Sequence, residues 1–331
     1  MNFYRGKKVL VTGGTGLIGI PLVKQLLDYG AHVRIASLDP APGVNKEAEF
    51  VQGNLTDWVF CQKIVKNIDF VFHLAGTKGA VSVGRLKAAS FFVPHLIFNT
   101  LMMEAARLEN INRYLFTSTI GIYPPAPIFY EDHAWEGPPH PSNSFAGWAK
   151  RMGELQAESY KLEFGWDKIA IVRPANVYGP FDYFEESSSM VIPSLIRKAV
   201  QGEQPFTVWG DGSAIRDFVY SEDVAQGMLL ALEKGANCTP MNLGSGKGYS
   251  IRELVNIISS YIPGLDIQWD TSKPKGEDSR ILSIERAKNL IEYDPKVSLR
   301  EGIGRTIEWY QKNKFNMPTK YKVFTEKKLI C

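Results

Sequence analysis

The residues best placed for chemistry begin with a glycine-rich turn near the N-terminus. Gly13, Gly14, Gly16 and Gly19 follow the apolar segment Lys8–Thr12 and open a helical pattern. Glycines at such a turn let the backbone approach a pyrophosphate, and the helix N-terminus supplies N–H groups and the positive end of a dipole. A glycine triplet alone is a weak signal, but its position between a strand and a helix predicts a dinucleotide site.

The end of the second predicted strand bears on which dinucleotide is bound. Ser37 occupies the tip of that strand and Asp39 follows two residues later, whereas residues 37–45 contain no Lys or Arg. A dianionic 2′-phosphate without a cation is the costlier mismatch, so the sequence favours NAD over NADP. Asp39 also suits a simple turn before Pro40, and that alternative stays open.

The elements that must position these residues alternate between strand-like and helix-like patterns. This rhythm is typical of βαβ units and a parallel sheet. Six strand-like segments lie at 8–12, 32–36, 49–51, 68–74, 113–117 and 168–173. Helix-like patterns separate them, except that a Pro/Gly turn at 39–43 separates the second from the third. Beyond about Pro174 the loops become longer and richer in Pro and Gly.

The sequence therefore predicts an α/β fold with two domains. The first is a Rossmann-type doubly wound parallel sheet, and the second is a smaller mixed α/β C-terminal domain for the substrate. We expect the first domain to comprise residues 1–178 plus about 214–235, and the second to comprise 179–213 plus about 236–331.

Composition excludes several classes of protein. The chain has 331 residues, of which 44% are hydrophobic, and its 38 basic and 35 acidic residues give a net charge of +3. That charge is too small to indicate a nucleic-acid or membrane-surface protein. No apolar run reaches the roughly 18 residues of a membrane span, and we expect no signal peptide. Cys61, Cys238 and Cys331 form neither a metal pattern nor a disulfide framework, so we expect no metal and a cytoplasmic location.

These segments resemble the extended short-chain dehydrogenase/reductase family that acts on nucleotide sugars. Besides the glycine turn, the matching segments are 73–76 (His-Leu-Ala-Gly), 118–123 (Ser-Thr-x-x-x-Tyr), 150–154 (Lys-x-x-x-Glu), 173–179 and 216–220. The resemblance covers nearly the whole chain. The nearest groups are the UDP-galactose 4-epimerases and the GDP-fucose-synthase-type reductases.

The resemblance implies a catalytic set from which one member is missing. In that family a tyrosine four residues before a lysine is the general acid or base, the lysine lowers its pKa and holds the nicotinamide ribose, and a hydroxyl orients the sugar oxygen. Lys150 and Thr119 match the lysine and the hydroxyl, but Ala146 stands at the tyrosine position. Either a natural protein has lost its base, or the sequence is that of an engineered Tyr→Ala variant. The intact remainder of the set favours the second, and we expect the chain as written to be severely impaired.

The same resemblance assigns cofactor and substrate residues. For the cofactor they are Gly13, Gly16, Leu17, Ile18, Gly19, Ser37, Asp39, Asn54, Leu55, Leu74, Ala75, Gly76, Lys78, Asn99, Thr117, Lys150, Pro174 and Val177. For the substrate they are Ser118, Thr119, Asn176, Val191, Leu195, Lys198, Val208, Trp209, Arg216, Asp278 and Arg280. Taken singly, a solvated lysine at 78, a buried amide at 99 and surface salt bridges at 216 and 280 are open alternatives.

Departures from the family pattern disfavour two reactions. The 4,6-dehydratases carry an Asp-Glu pair where this chain has Ile120 and Gly121. The fucose-synthase group epimerises C3 and C5 with a cysteine and a histidine, where this chain has Gly121 and Met190. None of these three side chains can carry a proton, so dehydration and 3,5-epimerisation are both disfavoured.

What remains is NAD(P)-dependent hydride transfer at C4 of a nucleotide-diphosphate sugar, by a 4-dehydrogenase, 4-reductase or 4-epimerase. Segments 191–198 and 207–210 resemble GDP-sugar enzymes, so we expect guanine as the base. The resemblance also implies a homodimer through helices near 94–108 and 147–163. The alternative from another class is a catalytically inactive NAD-binding sensor or scaffold. RNA binding is disfavoured by the low net charge.

Overall fold

The computed structural model describes residues 2–40, 45–76, 87–186, 189–273 and 276–317. Its strands are β1 Lys8–Thr12, β2 His32–Ser37, β3 Glu49–Gln52, β4 Phe70–His73, β5 Arg113–Thr117, β6 Ile128–Phe129, β7 Ile169–Pro174, β8 Asn176–Tyr178, β9 Phe206–Trp209, β10 Ile215–Tyr220, β11 Pro240–Leu243, β12 Gly248–Ser250, β13 Ile267–Asp270 and β14 Ser279–Leu282. Its α-helices are α1 Gly19–Asp28, α2 Trp58–Ile64, α3 Ala88–Leu108, α4 Ser144–Phe164, α5 Val191–Gln201, α6 Ser221–Lys234, α7 Ile251–Tyr261, α8 Glu285–Ile291 and α9 Leu299–Asn313.

Seven strands form the main sheet in the order β3-β2-β1-β4-β5-β7-β11. Every neighbouring pair is parallel. The chain winds outward from β1 in one direction and then from β4 in the other, which confirms the predicted Rossmann-type doubly wound fold. The order therefore reverses between β1 and β4.

Alternate side chains of the strands enter two hydrophobic cores, one on each face of the main sheet. In β1, Val9 and Val11 lie in the core that includes α1, α6 and α8, whereas Leu10 lies in the core that includes α2, α3 and α4. This is the two-residue repeat of a strand that is buried on both faces. The two helix layers therefore fix the strand ends and the loops that follow them.

The C-terminal half adds a second sheet, a two-stranded sheet and a third core. The second sheet has the order β12-β10-β14-β6, with β8 paired to β10, and β9 pairs with β13. Side chains of α5, α7 and α9 form the third core. The predicted division needs one correction, because β11 falls in the segment assigned to the smaller domain but pairs with β7 in the main sheet. The rest of the two-domain division stays a prediction.

Within the described residues, each helix is too short or too polar to cross a membrane.

Candidate active site

A cavity of about 460 Å³ opens at the carboxyl ends of β1 and β4. Ligands of doubly wound sheets bind where the strand order reverses, which is the place of this cavity. Most of the predicted cofactor residues line it: Gly13, Gly16, Leu17, Ile18, Gly19, Ser37, Asp39, Asn54, Leu55, Leu74, Ala75, Gly76, Thr117, Lys150, Pro174 and Val177. Lys78 lies outside the described residues, and Asn99 is not part of the wall.

In the glycine turn after β1, the backbone leaves no room for a side chain at Gly19 and disfavours one at Gly13. Gly13 has a φ of +70°, which favours glycine, and a Cβ at Gly19 would lie 2.3 Å from the carbonyl oxygen of Gly13. Helix α1 begins directly after this turn, at the wall of the cavity, and no side chain caps its N-terminus. The N–H groups of its first turn are therefore not occupied by a capping side chain. A bare turn and an uncapped helix N-terminus fit the pyrophosphate of a dinucleotide.

The end of β2 supplies polar groups and no cation. The Thr15 hydroxyl lies 2.8 Å from the Ser37 hydroxyl and donates to a carboxylate oxygen of Asp39 at 3.0 Å. Among the described lining residues, the only Lys and Arg side chains are Lys150 and Arg280, which belong to α4 and β14. The carboxylate and hydroxyls near β2 therefore suit a ribose diol better than a 2′-phosphate.

Three hydroxyls follow β5 into the cavity. Thr117, Ser118 and Thr119 all line it, and the Thr119 hydroxyl accepts from the backbone N–H of Gly121 at the start of a 3₁₀ turn. The hydroxyl oxygens of Thr117 and Ser118 are buried and have no hydrogen-bond partner among the described residues. Since buried polar groups are normally paired, these two hydroxyls are suited to a ligand.

Lys150 and Ala146 lie one turn apart on α4 and both line the cavity. The Lys150 side chain is buried, and its ammonium lies 5.0 Å from the centre of the Phe116 ring. Burial lowers the lysine pKa to about 7, against the opposing effect of the Glu154 carboxylate. The ammonium is therefore poised between charged and neutral near neutral pH.

A buried ion pair holds this part of α4 against the sheet. Both Glu154 oxygens accept from the Arg173 guanidinium, at 3.0 and 2.6 Å, and both side chains are almost fully buried. Arg173 also donates to the Tyr123 hydroxyl and to the carbonyl of Glu131. The ion pair therefore fixes α4 against β7 at Glu154, one helical turn after Lys150.

Helix α3 presents a histidine to the cavity rather than the predicted asparagine. The Asn99 amide oxygen lies 3.0 Å from Nε2 of His73, behind the wall. His95, one turn earlier, lines the cavity, and its Nδ1 lies 2.6 Å from the carbonyl oxygen of Phe91. Burial lowers the pKa of each histidine to about 3, so both rings are neutral at neutral pH.

The structure brings fewer of the predicted substrate residues together. Ser118, Thr119, Asn176, Val191 and Arg280 line the same cavity. The others do not: Leu195, Lys198, Val208, Trp209, Arg216 and Asp278 lie outside its wall.

The reasons differ between elements. The Val208 side chain is buried in the third core, while its neighbour Trp209 is 58% exposed. Leu195 also belongs to that core. Lys198 donates to the carbonyl of Thr207. Each of these side chains is thus directed into the core, to solvent or to the backbone.

Several lining residues were not predicted from the sequence: Thr15, His95, Asn143, Tyr178, Tyr183 and Phe218. For three of them the sequence contained a signal. Thr15 lies inside the glycine turn itself, and Asn143 precedes Ala146 by three residues. His95 lies four residues from Asn99 on the same face of α3, so the helical repeat made either residue a candidate for the cavity wall.

Comparisons with known proteins agree with this geometry. A sequence profile of the NAD dependent epimerase/dehydratase family matches residues 9–244. GDP-L-fucose synthase 1 of Arabidopsis thaliana is 30% identical over 325 residues, which cover 94% of this chain and 95% of the relative. A dTDP-4-dehydro-6-deoxy-D-allose reductase of a Streptomyces species is also 30% identical, over 94% of this chain and 98% of the relative. The structure of UDP-glucose 4-epimerase from Thermotoga maritima with UDP-glucose superposes with a TM-score of 0.80 at 28% identity, covering 93% of this chain and 99% of that one.

The family profile covers more than half of this chain, and the matched range includes the glycine turn and the strand-end hydroxyls that line the cavity. The chain therefore belongs to the NAD-dependent epimerase/dehydratase family and is an NAD(P)-dependent enzyme.

Proposed function

We propose that this protein transfers hydride at C4 of a nucleotide-diphosphate sugar, with GDP-linked sugars as the preferred class. The observation that carries the proposal is that Thr119, Ala146 and Lys150 border one cavity together with the glycine turn and Arg280. The cavity thus combines a proton-transfer position, a dinucleotide turn and a cation for a phosphate. The relatives named above support a nucleotide-sugar substrate, and the GDP-L-fucose synthase supports guanine.

The side chains have separate tasks in this proposal. The Thr119 hydroxyl orients the C4 oxygen of the sugar, and the Lys150 charge stabilises the anionic form of a phenol at position 146 and so lowers its pKa. When bound, the nicotinamide ring supplies the hydride donor or acceptor. Ala146 can neither accept nor donate a proton, so the chain as written lacks its acid/base group. We propose that it is a Tyr→Ala form of an active enzyme.

The test compares Ala146→Tyr with Ala146→Phe. Both variants add an aromatic ring of about the same size, but only tyrosine adds a hydroxyl. We expect Ala146→Tyr to turn over at least about 100-fold faster than Ala146→Phe, which is the low end for a positioned acid/base group. GDP-, UDP- and dTDP-sugars are incubated with NAD or NADH while nicotinamide absorbance and product mass are recorded together.

The product separates the remaining reaction types. An isomer of unchanged mass without net NADH identifies a 4-epimerase, and a change of two hydrogens matched by the cofactor identifies a dehydrogenase or reductase. If Ala146→Tyr is no faster than Ala146→Phe on any sugar, while both variants bind the cofactor, the proposal is wrong. That result would favour the inactive NAD-binding sensor.

We also propose NAD as the preferred cofactor. The support is the Asp39 carboxylate at the β2 end of the cavity, where it would repel a 2′-phosphate. Titration of intrinsic fluorescence should give a lower Kd for NADH than for NADPH, and Asp39→Asn should narrow that gap. Equal affinities for the two cofactors in the unsubstituted protein would contradict the assignment.

A homodimer is proposed from an apolar stripe on α4. Phe145, Trp148, Met152 and Leu155 are each between 37% and 46% exposed. Their spacing of three, four and three residues puts them on one face of the helix, which is the pattern of a helix–helix seam. A second copy of the chain would cover this stripe.

A further inference from the structure

Two arginines lie side by side on neighbouring strands of the second sheet, beside the cavity. Arg216 of β10 and Arg280 of β14 are direct partners on neighbouring parallel strands. Burial lowers the pKa of both guanidinium groups, and the charge of Arg280 lowers that of Arg216 further. Two cations held side by side away from water need an anion, because neither desolvation nor their mutual repulsion is otherwise offset.

Glu277 supplies the negative charge beside Arg280, and both Glu277 and Asp278 act on Arg216. One carboxylate oxygen lies 3.4 Å from Nε of Arg280, and both side chains are nearly buried. Among the described residues this is the one carboxylate paired with Arg280, and Nε still makes no hydrogen bond of good geometry. The contact is therefore a charge pairing that leaves part of the guanidinium's hydrogen-bonding capacity for a ligand.

The backbone around Glu277 holds the second arginine in place. Arg216 donates to the carbonyl oxygens of Ile215 and Glu277, each at 2.7 Å. His140, in the loop before α4, approaches the same Glu277 oxygen with its Nδ1 at 3.5 Å, and that nitrogen accepts the N–H of Ser142. The carboxylate therefore lies between the arginine pair and the loop that leads to position 146.

We propose that Glu277 is the resident counter-ion of an anion subsite, and that the diphosphate of the substrate must displace it from Arg280. This inference rests on the proposed nucleotide-diphosphate substrate. The two arginines, Glu277 and the Asp278 carboxylate that also acts on Arg216 sum to a net charge of zero. Adding a doubly charged diphosphate without moving Glu277 would therefore leave minus two in a poorly solvated site. Glu277 therefore competes with the ligand and selects for anions of high charge.

The experiment measures binding of GDP, GMP and inorganic pyrophosphate by isothermal titration calorimetry to the full chain and its Glu277→Gln variant. We expect Glu277→Gln to bind GDP and pyrophosphate about tenfold more tightly, as for the removal of one nearby like charge at intermediate dielectric, and to discriminate less against GMP. The matched control is Glu285→Gln, which removes an exposed carboxylate from the start of α8 and should change no Kd. Glu277→Asp retracts the charge by one methylene and should show a smaller gain in affinity for GDP and pyrophosphate. This variant replaces Glu277→Gln in the test if the Gln variant does not fold.

Each outcome decides the matter. Weaker GDP binding by Glu277→Gln would mean that the carboxylate contacts the nucleotide. Unchanged binding of GDP and of pyrophosphate would mean that the ion pair is only structural. Either result overturns the inference. If the unsubstituted protein binds pyrophosphate but not GDP, the proposed GDP-linked substrate class fails while the pyrophosphate series still tests Glu277.

Discussion

The Lys150→Met substitution should stabilise the ligand-free protein. Lys150 has a pKa of 10.5 as a free side chain, and burial lowers it to about 7 in the fold. At pH values below 7 the native state must hold a buried ammonium that the unfolded chain exposes to water. The shift of about 3.5 pH units corresponds to an unfavourable contribution of at most about 5 kcal/mol at 1.36 kcal/mol per unit.

The sign of the pH dependence follows from proton counts. Between about pH 7 and 10.5 the unfolded chain keeps the Lys150 proton while the native state has lost it. The unfolded state therefore binds more protons, and this residue's contribution to stability rises with pH by up to about 1.4 kcal/mol per unit. The advantage of Lys150→Met should be largest at pH 6 and should shrink by roughly 2 to 3 kcal/mol by pH 9.

The assay is urea unfolding followed by tryptophan fluorescence at pH 6, 7, 8 and 9 without nucleotide. Lys63→Met is the matched control, because Lys63 is exposed on α2 and should give the same difference at every pH. If Lys150→Met is less stable than the unsubstituted chain at pH 6, the ammonium is satisfied in the native state and the reasoning is refuted. A pH-independent gain would also refute it.

Three other substitutions test the site and its support. Glu154→Gln should lower the free energy of unfolding by about 3 to 5 kcal/mol, because it leaves the Arg173 charge buried without its partner, whereas Glu158→Gln on the exposed face of α4 should cost little in the same urea assay. Gly19→Ala should abolish NADH fluorescence enhancement, since the added Cβ would meet loop backbone at 2.3 Å; normal NADH binding would show that the turn is not the phosphate site. Met152→Glu should convert a dimer to a monomer in light scattering coupled to gel filtration, and an unchanged mass would place the interface elsewhere.

Local sequence patterns predicted the part of the site that depends on strand ends. A parallel strand must release its next residues at the carboxyl edge of the sheet, so the glycine turn after β1 and the hydroxyls after β5 had to meet near the reversal of strand order. Family resemblance added Ser37 and Pro174 by the same geometry, and the cavity includes both. These residues reach the cavity because their position depends on chain direction and not on side-chain orientation, and their role in binding stays a prediction.

The substrate wall was harder to predict because it depends on orientation. Val208 and Trp209 are adjacent in β9, and neighbouring strand residues point to opposite faces, so both could not face one pocket. The short strand β11 contains no long apolar run, and its place beside β7 depends on tertiary pairing. Asn99 and His95 share one helical face, and only the packing of α3 against β4 decided which reached the cavity.

Position 146 is fixed by its neighbours, and this makes the Tyr and Phe variants interpretable. A Cβ at Gly147 would lie 2.5 Å from the carbonyl oxygen of Gly121, so the first turn of α4 presses directly on the backbone that follows Thr119. Three residues beyond Lys150, Gly153 packs against the Phe116 ring of β5, and the buried ion pair of Glu154 follows it. The contacts at Gly147 and Gly153 therefore set the direction in which the side chain at 146 leaves the helix. These contacts do not involve the side chain at 146, so replacing Ala146 by Tyr or Phe leaves them unchanged. A difference in turnover between the Tyr and Phe variants then measures the phenolic hydroxyl itself, because both variants carry the same ring at the same position of a closely packed helix.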